Sequence, residues 1–263
     1  MECNLEEILE QNQFKIMKLI SLNIELNKHR DLVLGFLKKE KSDVICLQEI
    51  LEADFPIYKK ELEMEGVLEM WYQMDSTRDS HHPELQGQKH GIAILTKKII
   101  GSGLNYYNGS KENVIKPSND LSANKTIQNN NVFLWIETEN NEGERFKFIT
   151  THLPVTAKGE TTDYQLKVVD LLIRELEKIP EFILCGDTNA PRGKEAFSRI
   201  AAKYKDNIPP EYETSLDQNL HRVKGLMYMV DGLFTTPSYK AVNVKLVDGV
   251  SDHMAIVANI EKA

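Results

Sequence analysis

FILCGDTN, at positions 182–189, runs four apolar residues into a glycine and stops at Asp187 and Asn189. A short apolar run closed by polar residues reads as a buried strand with its end exposed to chemistry. The same shape recurs along the chain. KIMKLISLN (15–23) ends on Asn23, DVICLQE (43–49) on Gln48-Glu49, and RFKFITT (145–151) is followed by His152. Asp231 interrupts MYMVDGLF (227–234), and Ser251-Asp252-His253 stands directly before MAIVANI (254–260). One strand-ending Asp or Asn is commonly a turn former or a cap. Carboxylates, amides and imidazoles at the ends of six strands, if they converge, make a hard-oxygen metal site with acid–base groups beside it.

Amphipathic stretches separate these runs. Helices are expected over residues 30–41, 54–65 and 163–179; the last has Leu166, Val169, Leu172, Ile173 and Leu176 on one face, a Thr162/Gln165 capping box before it and Pro180 after it. Further strands are expected over 68–74, 91–96, 132–138, 227–235 and 241–247. Residues 75–89 and 101–131 are polar, rich in Asn, Ser and His, and read as long loops of the kind that carry function. No Pro/Gly/Ser linker divides the chain. The reading is an α/β protein with one domain over residues 15–263 and an N-terminal extension over 1–14.

Composition narrows the class. The 263 residues are 41% hydrophobic and 27% charged, as in a folded domain, with a net charge of −8. The first 75 residues hold 16 acids and 9 bases, so most of the excess lies there. The short clusters Lys38-Lys39-Lys41 and Lys97-Lys98 read as solvated element ends, not the basic stripe of a general DNA-coating protein. Three cysteines with no CxxC pair make neither a disulfide framework nor a zinc site. Cys46 and Cys185 sit in apolar runs and read as core. No run approaches the roughly 18 apolar residues of a membrane span, and the polar start does not read as a secretory signal. A cytoplasmic monomer is expected, with the sequons at Asn108 and Asn124 unused. His29, His81, His82, His90 and His221 have no motif around them and are expected at the surface or in loops. Gly101-Ser102-Gly103 lacks the Lys-Ser/Thr of a phosphate loop.

Taken in order, the strand-end motifs resemble the endonuclease/exonuclease/phosphatase superfamily. They are Ser21-Leu22-Asn23, Gln48-Glu49, Gly91–Leu95 (GIAIL), Thr151-His152-Leu153, Gly186-Asp187-Thr188-Asn189, Asp231-Gly232-Leu233-Phe234 and Ser251-Asp252-His253. The resemblance implies a deoxyribonuclease-I-like fold: a single-domain α/β sandwich of two packed mixed β-sheets flanked by helices. It also implies a Mg²⁺-dependent phosphoesterase, with Mn²⁺ as substitute, that hydrolyses a phosphodiester by metal-assisted attack of water. Glu49 resembles the principal metal ligand, with Asn23 and Asp252 near the ion. His253, oriented by Asp231, resembles the base, and Asp187 positions or itself deprotonates the water. Asn189 and His152 resemble donors to the phosphoryl oxygens, and Asn23 also lies on the substrate side. The expected partner is a phosphoester, nucleic acid among the candidates.

Within the superfamily, ILCGDTN and MYMVDGLF depart from the inositol-phosphate 5-phosphatase signatures. Gly-Asp-Thr-Asn and His152 are similar to the tyrosyl-DNA phosphodiesterase and deoxyribonuclease side. A small-molecule or lipid-headgroup phosphatase is the alternative enzyme reading, and a catalytically silent binding module the alternative outside catalysis.

Overall fold

Alternating apolar residues settle on the two faces of two six-stranded sheets in the structure, a computed structural model that describes residues 16–74, 82–112 and 130–263. The first sheet holds β1 (Met17–Asn23), β2 (Val44–Leu51), β3 (Glu65–Gln73), β4 (Lys89–Thr96), β11 (Tyr239–Val247) and β12 (Ala255–Lys262), in the order β11-β12-β1-β2-β4-β3. The second holds β5 (Gly101–Asn108), β6 (Asn131–Glu139), β7 (Arg145–Thr151), β8 (Ile183–Asp187), β9 (Lys205–Asp206) and β10 (Asp231–Thr235), in the order β5-β6-β7-β8-β10-β9. Leu19, Cys46 and Ile94 of the first sheet meet Phe148, Cys185 and Leu233 of the second in the inner core. Outside the first sheet lie α1 (Arg30–Glu40) and α2 (Phe55–Leu62), which cover Ile20, Ile45 and Ala93 with Val33, Leu37 and Tyr58. Outside the second lie α3 (Asp163–Leu176) and α4 (Glu195–Ala201), which cover Phe133, Ile149 and Leu184 with Val168, Leu172 and Ile200. Central strands are therefore buried on both faces, which is why they read as unbroken apolar runs. This is the expected sandwich of two mixed sheets.

The topology decides where the polar strand ends go. Each sheet has one parallel pair, β1/β2 joined through α1 and β7/β8 joined through α3, and the remaining pairs are antiparallel. Asn23, Glu49, His152 and Asp187 thus come at or beside the C-terminal ends of parallel strands. β10 and β12 run the opposite way, so their starts, Asp231 and the residues before Ala255, arrive at that same end.

Local backbone sharpens this placement. Gly91 pairs with Ile50 on β2 and Met70 on β3, and each neighbour has a bulge there, at Glu49 and at Trp71. A Cβ on Gly91 would lie 1.8 Å from the Glu69 carbonyl oxygen. The missing side chain is what lets both bulges crowd one position of β4. The bulge puts Glu49 at φ +58°, a cost a non-glycine residue bears where the chain must re-aim a side chain.

Several sequence expectations need correction. Residues 101–108, expected as loop, form β5, an edge strand whose residues are half-buried or exposed except Tyr107; its polar outward face hid it. The strand expected over 227–235 starts only at Asp231, because the amides of Val230 and Asp231 turn to the Ser215 hydroxyl oxygen, at 3.1 and 3.0 Å. The helix expected over 54–65 is shorter, closed by Glu63 in the left-handed region. Neither α4 nor β9 was expected. Residues 1–15, 75–81 and 113–129, with them the N-terminal extension, His81, Asn124 and parts of both polar stretches, lie outside the described residues.

Two glycines give opposite expectations. Gly91→Ala should cost about 3 kcal/mol or more in urea unfolding, since it drives a methyl into backbone. Gly35→Ala, mid-helix in α1 with open space around it, should stabilise by about 1 kcal/mol.

Candidate active site

Asn23 joins the two sheets. Its Nδ2 donates to Glu49 Oε1 at 3.1 Å and to Asp187 Oδ2 at 3.0 Å, while its Oδ1 accepts from the Glu25 amide. Asp187 is buried and surrounded by polar groups. Its Oδ1 accepts from the Asn189 amide at 2.8 Å, and its Oδ2 lies 3.4 Å from His152 Nε2 and 3.8 Å from His253 Nε2. Glu49 keeps 28% of its side chain open and stands 3.9 Å from His152 Nε2. Asn189, at φ +46°, donates from Nδ2 to the Leu153 carbonyl at 2.9 Å, which fixes its amide nitrogen 3.0 Å from His152 Nε2.

His253 Nδ1 meets Asp231 Oδ2 at 2.7 Å, and both residues are buried. Asp231 and Asp187 are direct cross-strand partners, a like-charge pairing that is unfavourable without a cation between them. His253 supplies it: burial opposes its charge, but Asp231 and Asp187 hold the imidazole well above its ordinary value. Burial would raise Asp187, yet the charge of His253 and the hydrogen bond and charge of His152 hold it down at about 2. Burial raises Asp231. Burial also raises Glu49, with Asp252 and Asp187 adding repulsion, and burial and then Glu25 raise Asp252.

The structure thus brings Asn23, Glu49, His152, Asp187, Asn189, Asp231 and His253 into one cluster. Asp252 stands apart from it in one respect: its carboxylate accepts from the Ser251 hydroxyl at 3.3 Å and reaches Glu49 through charge, not through a hydrogen bond. Among the described residues, Asp187, Asp231 and His253 form one group of Asp, Glu, His or Cys side chains whose ligand atoms lie within 4.8 Å of one another. A 2.7 Å contact between His253 and Asp231 is a charge-assisted hydrogen bond. Asp187 is enclosed like this pair, while Glu49 keeps part of its side chain exposed.

Three residues the sequence reading missed support this cluster. Gln165, fully buried on α3, donates from Nε2 to the Asn189 carbonyl at 2.9 Å and the Pro154 carbonyl at 3.3 Å. Thr162 does cap α3 through the Gln165 amide, but the Gln165 side chain points to the site instead of closing a capping box. Ser215, also fully buried, accepts from the Asp231 amide and binds its carboxylate. His90, expected at the surface, is buried on β4 against Trp71, whose ring also meets His152 edge-on with 5.5 Å between centroids. Burial and the nearby His152 push His90 down to about 3. A Ser or Gln in an ordinary helix or loop carries no signal for such a contact, whereas GIAIL hid His90 only by starting one residue too late.

A two-sheet sandwich whose strand ends gather carboxylates, amides and two histidines defines a hydrolase-type site of the deoxyribonuclease-I-like class. Residues 20–253 match the Endonuclease/Exonuclease/phosphatase family. The chain belongs to that family, whose members are hydrolases acting on phosphoester bonds. No curated protein matches it in sequence. Among solved structures, the human Nocturnin catalytic domain with bound sulfate is 17% identical, with a TM-score of 0.69 over 95% of this chain and 94% of that one. D. rerio TDP2 complexed with single-strand DNA product is 17% identical, with a TM-score of 0.65 over 94% and 99%. A Bacteroides thetaiotaomicron mannosyl-6-phosphatase is 12% identical, with a TM-score of 0.63 over 94% and 99%. These three show a shared fold. No described helix is long and apolar enough to cross a membrane.

His90 gives a pH expectation. Its folded value of about 3 lies below the ordinary 6.5, so the stability it contributes is complete above pH 6.5 and is lost as pH falls toward 3. His90→Phe should flatten the loss of stability between pH 6 and 4 relative to the natural chain, measured by urea unfolding at each pH. A second expectation concerns the brace: Gln165→Leu keeps the volume but removes both donors, and should lower phosphoester hydrolysis by about 10- to 100-fold, the scale of lost supporting contacts. Unchanged turnover would remove Gln165 from the site.

Proposed function

We propose that the chain hydrolyses a phosphodiester with water as the nucleophile, using Mg²⁺ or Mn²⁺ held by Glu49, Asn23 and Asp252. The observation that carries this reading is His253, hydrogen-bonded at Nδ1 to Asp231 at 2.7 Å and turned at Nε2 toward Asp187 at 3.8 Å. The donor set is hard oxygen, and burial, with neighbouring carboxylates adding repulsion, holds the carboxyls of Glu49 and Asp252 above their ordinary values, a cost that a divalent cation beside them would offset. A bound cation supplies that charge and polarises a phosphate oxygen.

The protein's own groups divide the remaining work. Asp231 holds the Nδ1–H of His253 and fixes the ring; a cation bound beside the carboxylates would offset the charge that keeps the imidazole protonated, and Nε2, once free of its proton, takes the proton of the attacking water. Asp187, ionised at about 2, is a weak base and serves to orient that water. Asn189 and His152 donate to the phosphoryl oxygens as charge builds on them. Gln165 and Ser215 keep Asn189 and Asp231 in place. Among the described residues no Lys or Arg contacts this cluster, so a dianionic monoester meets more uncompensated negative charge than a monoanionic diester. That difference favours the diester.

With Mg²⁺, bis-p-nitrophenyl phosphate should therefore be cleaved faster than p-nitrophenyl phosphate. EDTA should abolish the reaction and Mg²⁺ or Mn²⁺ restore it; restoration by zinc alone would contradict the ligand set. His253→Ala should lower kcat by about 10²-fold or more. Asp231→Asn should lose much of the same activity, and the double variant little more than His253→Ala, because members of one unit are non-additive. Multiplicative losses in folded variants would mean that the two residues work separately.

A further inference from the structure

Two loops leave the site and meet again above it. Residues 153–159 follow His152 directly. Residues 217–228 are anchored beside the Ser251-Asp252-His253 turn: Leu216 bridges His253, and the Asp217 amide donates to the Asp252 carbonyl at 2.8 Å. Tyr228 ties the loops together by donating its hydroxyl to the Lys158 carbonyl at 2.8 Å.

The composition of this lip runs against the rest of the chain. Residues 153–159 and 217–228 contain Lys158, Arg222 and Lys224 against one acid, the buried Asp217, although the protein as a whole carries −8. All three cations are exposed; Lys224 donates to the Asn219 carbonyl and its charge acts on Asp217, while Lys158 and Arg222 have no ion pair with a described acid. Elsewhere around the site the cations are already held: Lys28 by Glu25 at 2.7 Å and Lys111 by Glu69 at 3.7 Å. The lip also carries Val155, Val223 and Met227, each about half exposed, which are three of the six large apolar side chains exposed among the described residues. Exposed cations beside exposed apolar groups complement a ligand that is anionic along its length and flat and apolar across it.

We infer that this lip binds the single-stranded polynucleotide flanking the scissile phosphodiester, with Lys158, Arg222 and Lys224 on its phosphates and Val155, Val223 and Met227 beneath its bases. The inference rests on the phosphodiesterase reading and adds the substrate class to it. Three cations match about three phosphates, too few for a duplex-binding protein that uses 6–10 such contacts. They give a weak, short-footprint site on a strand whose bases are open to apolar contact.

The test compares a 10-nucleotide single-stranded DNA with bis-p-nitrophenyl phosphate, both with Mg²⁺. The double variant Lys158→Glu/Arg222→Glu should raise KM for the oligonucleotide by about 10-fold or more while leaving bis-p-nitrophenyl phosphate hydrolysis within about two-fold. The natural enzyme's affinity for the oligonucleotide should fall by about 20-fold between 50 and 200 mM salt, from about three single-strand contacts, and the variant should lose most of that dependence. Lys158→Arg/Arg222→Lys should restore the natural KM. Lys178→Glu/Lys203→Glu, the same charge change on the far side of α3, should alter neither substrate; an equal effect there would reduce the lip to net charge and overturn the inference. Equal losses on both substrates, or an unchanged oligonucleotide KM, would also overturn it. So would a lip variant that loses only binding to phosphatidylserine vesicles, which would make the partner a lipid surface. Hydrolysis of the small diester with none of the oligonucleotide would sink the lip and leave the diesterase reading standing. Failure on both substrates would sink that reading and the lip with it.

Discussion

One amide nitrogen holds the two halves of this molecule's site together. Asn23 Nδ2, at the end of a strand in the first sheet, donates both to Glu49 of its own sheet and to Asp187 of the other. Both acceptors are carboxylates that would repel each other across the sandwich, so the amide sets how near the sheets' polar ends can come. Everything that follows in the site depends on that spacing: His152 is placed between the same two carboxylates, and Asn189 is placed by Asp187. The scaffold behind it is ordinary apolar packing of strands buried on both faces. It supplies a rigid frame but no reason for the polar ends to stay close.

The charge balance explains the rest. Asp187, Asp231, Glu49 and Asp252 share two buried imidazoles, His152 and His253, and the result is visible in opposite shifts. Asp187 captures much of the positive charge and stays ionised, while burial raises Glu49 and Asp252, with Asp252 and Asp187 repelling the first and Glu25 the second. A folded protein that keeps such an imbalance holds stability in reserve against function, the usual relation between a preorganised site and the fold that carries it. The bulge at Glu49, which Gly91 makes room for, leaves the Glu49 carboxylate partly open to solvent while Asp187 and Asp231 are enclosed.

The sequence exposed much of this and hid part of it for physical reasons. Asn23, Glu49, His152, Asp187 and Asp231 were legible because each breaks an apolar run, and only a strand end or a functional demand places a polar residue there. The two mixed sheets were legible from the same runs. β5 was hidden because an edge strand with one wet face, GSGLNYYN, has the composition of a loop. Gln165 was read correctly as a helix-start residue through its backbone, yet its side chain serves a contact 24 residues away that no local pattern encodes. Ser215 and His90 were hidden likewise, since their roles come from what packs on them. The expected grouping of Asp252 with Glu49 and Asn23 came from motif order, and the structure places it in their field without a direct hydrogen bond.

The central claim is that the strand-end carboxylates form an unbalanced cluster that a divalent cation completes. Thermal unfolding of the natural chain and of Glu49→Gln, each in EDTA and in Mg²⁺, tests it most directly. Because the Glu49 carboxyl is raised by its surroundings, its ionised form weakens the fold at neutral pH, and a neutral isostere that keeps the Asn23 contact removes the penalty. The account predicts that Glu49→Gln melts higher than the natural chain in EDTA, and that Mg²⁺ raises the melting temperature of the natural chain but scarcely that of the variant. A variant that melts lower in EDTA, or one that gains as much from Mg²⁺ as the natural chain does, would contradict it.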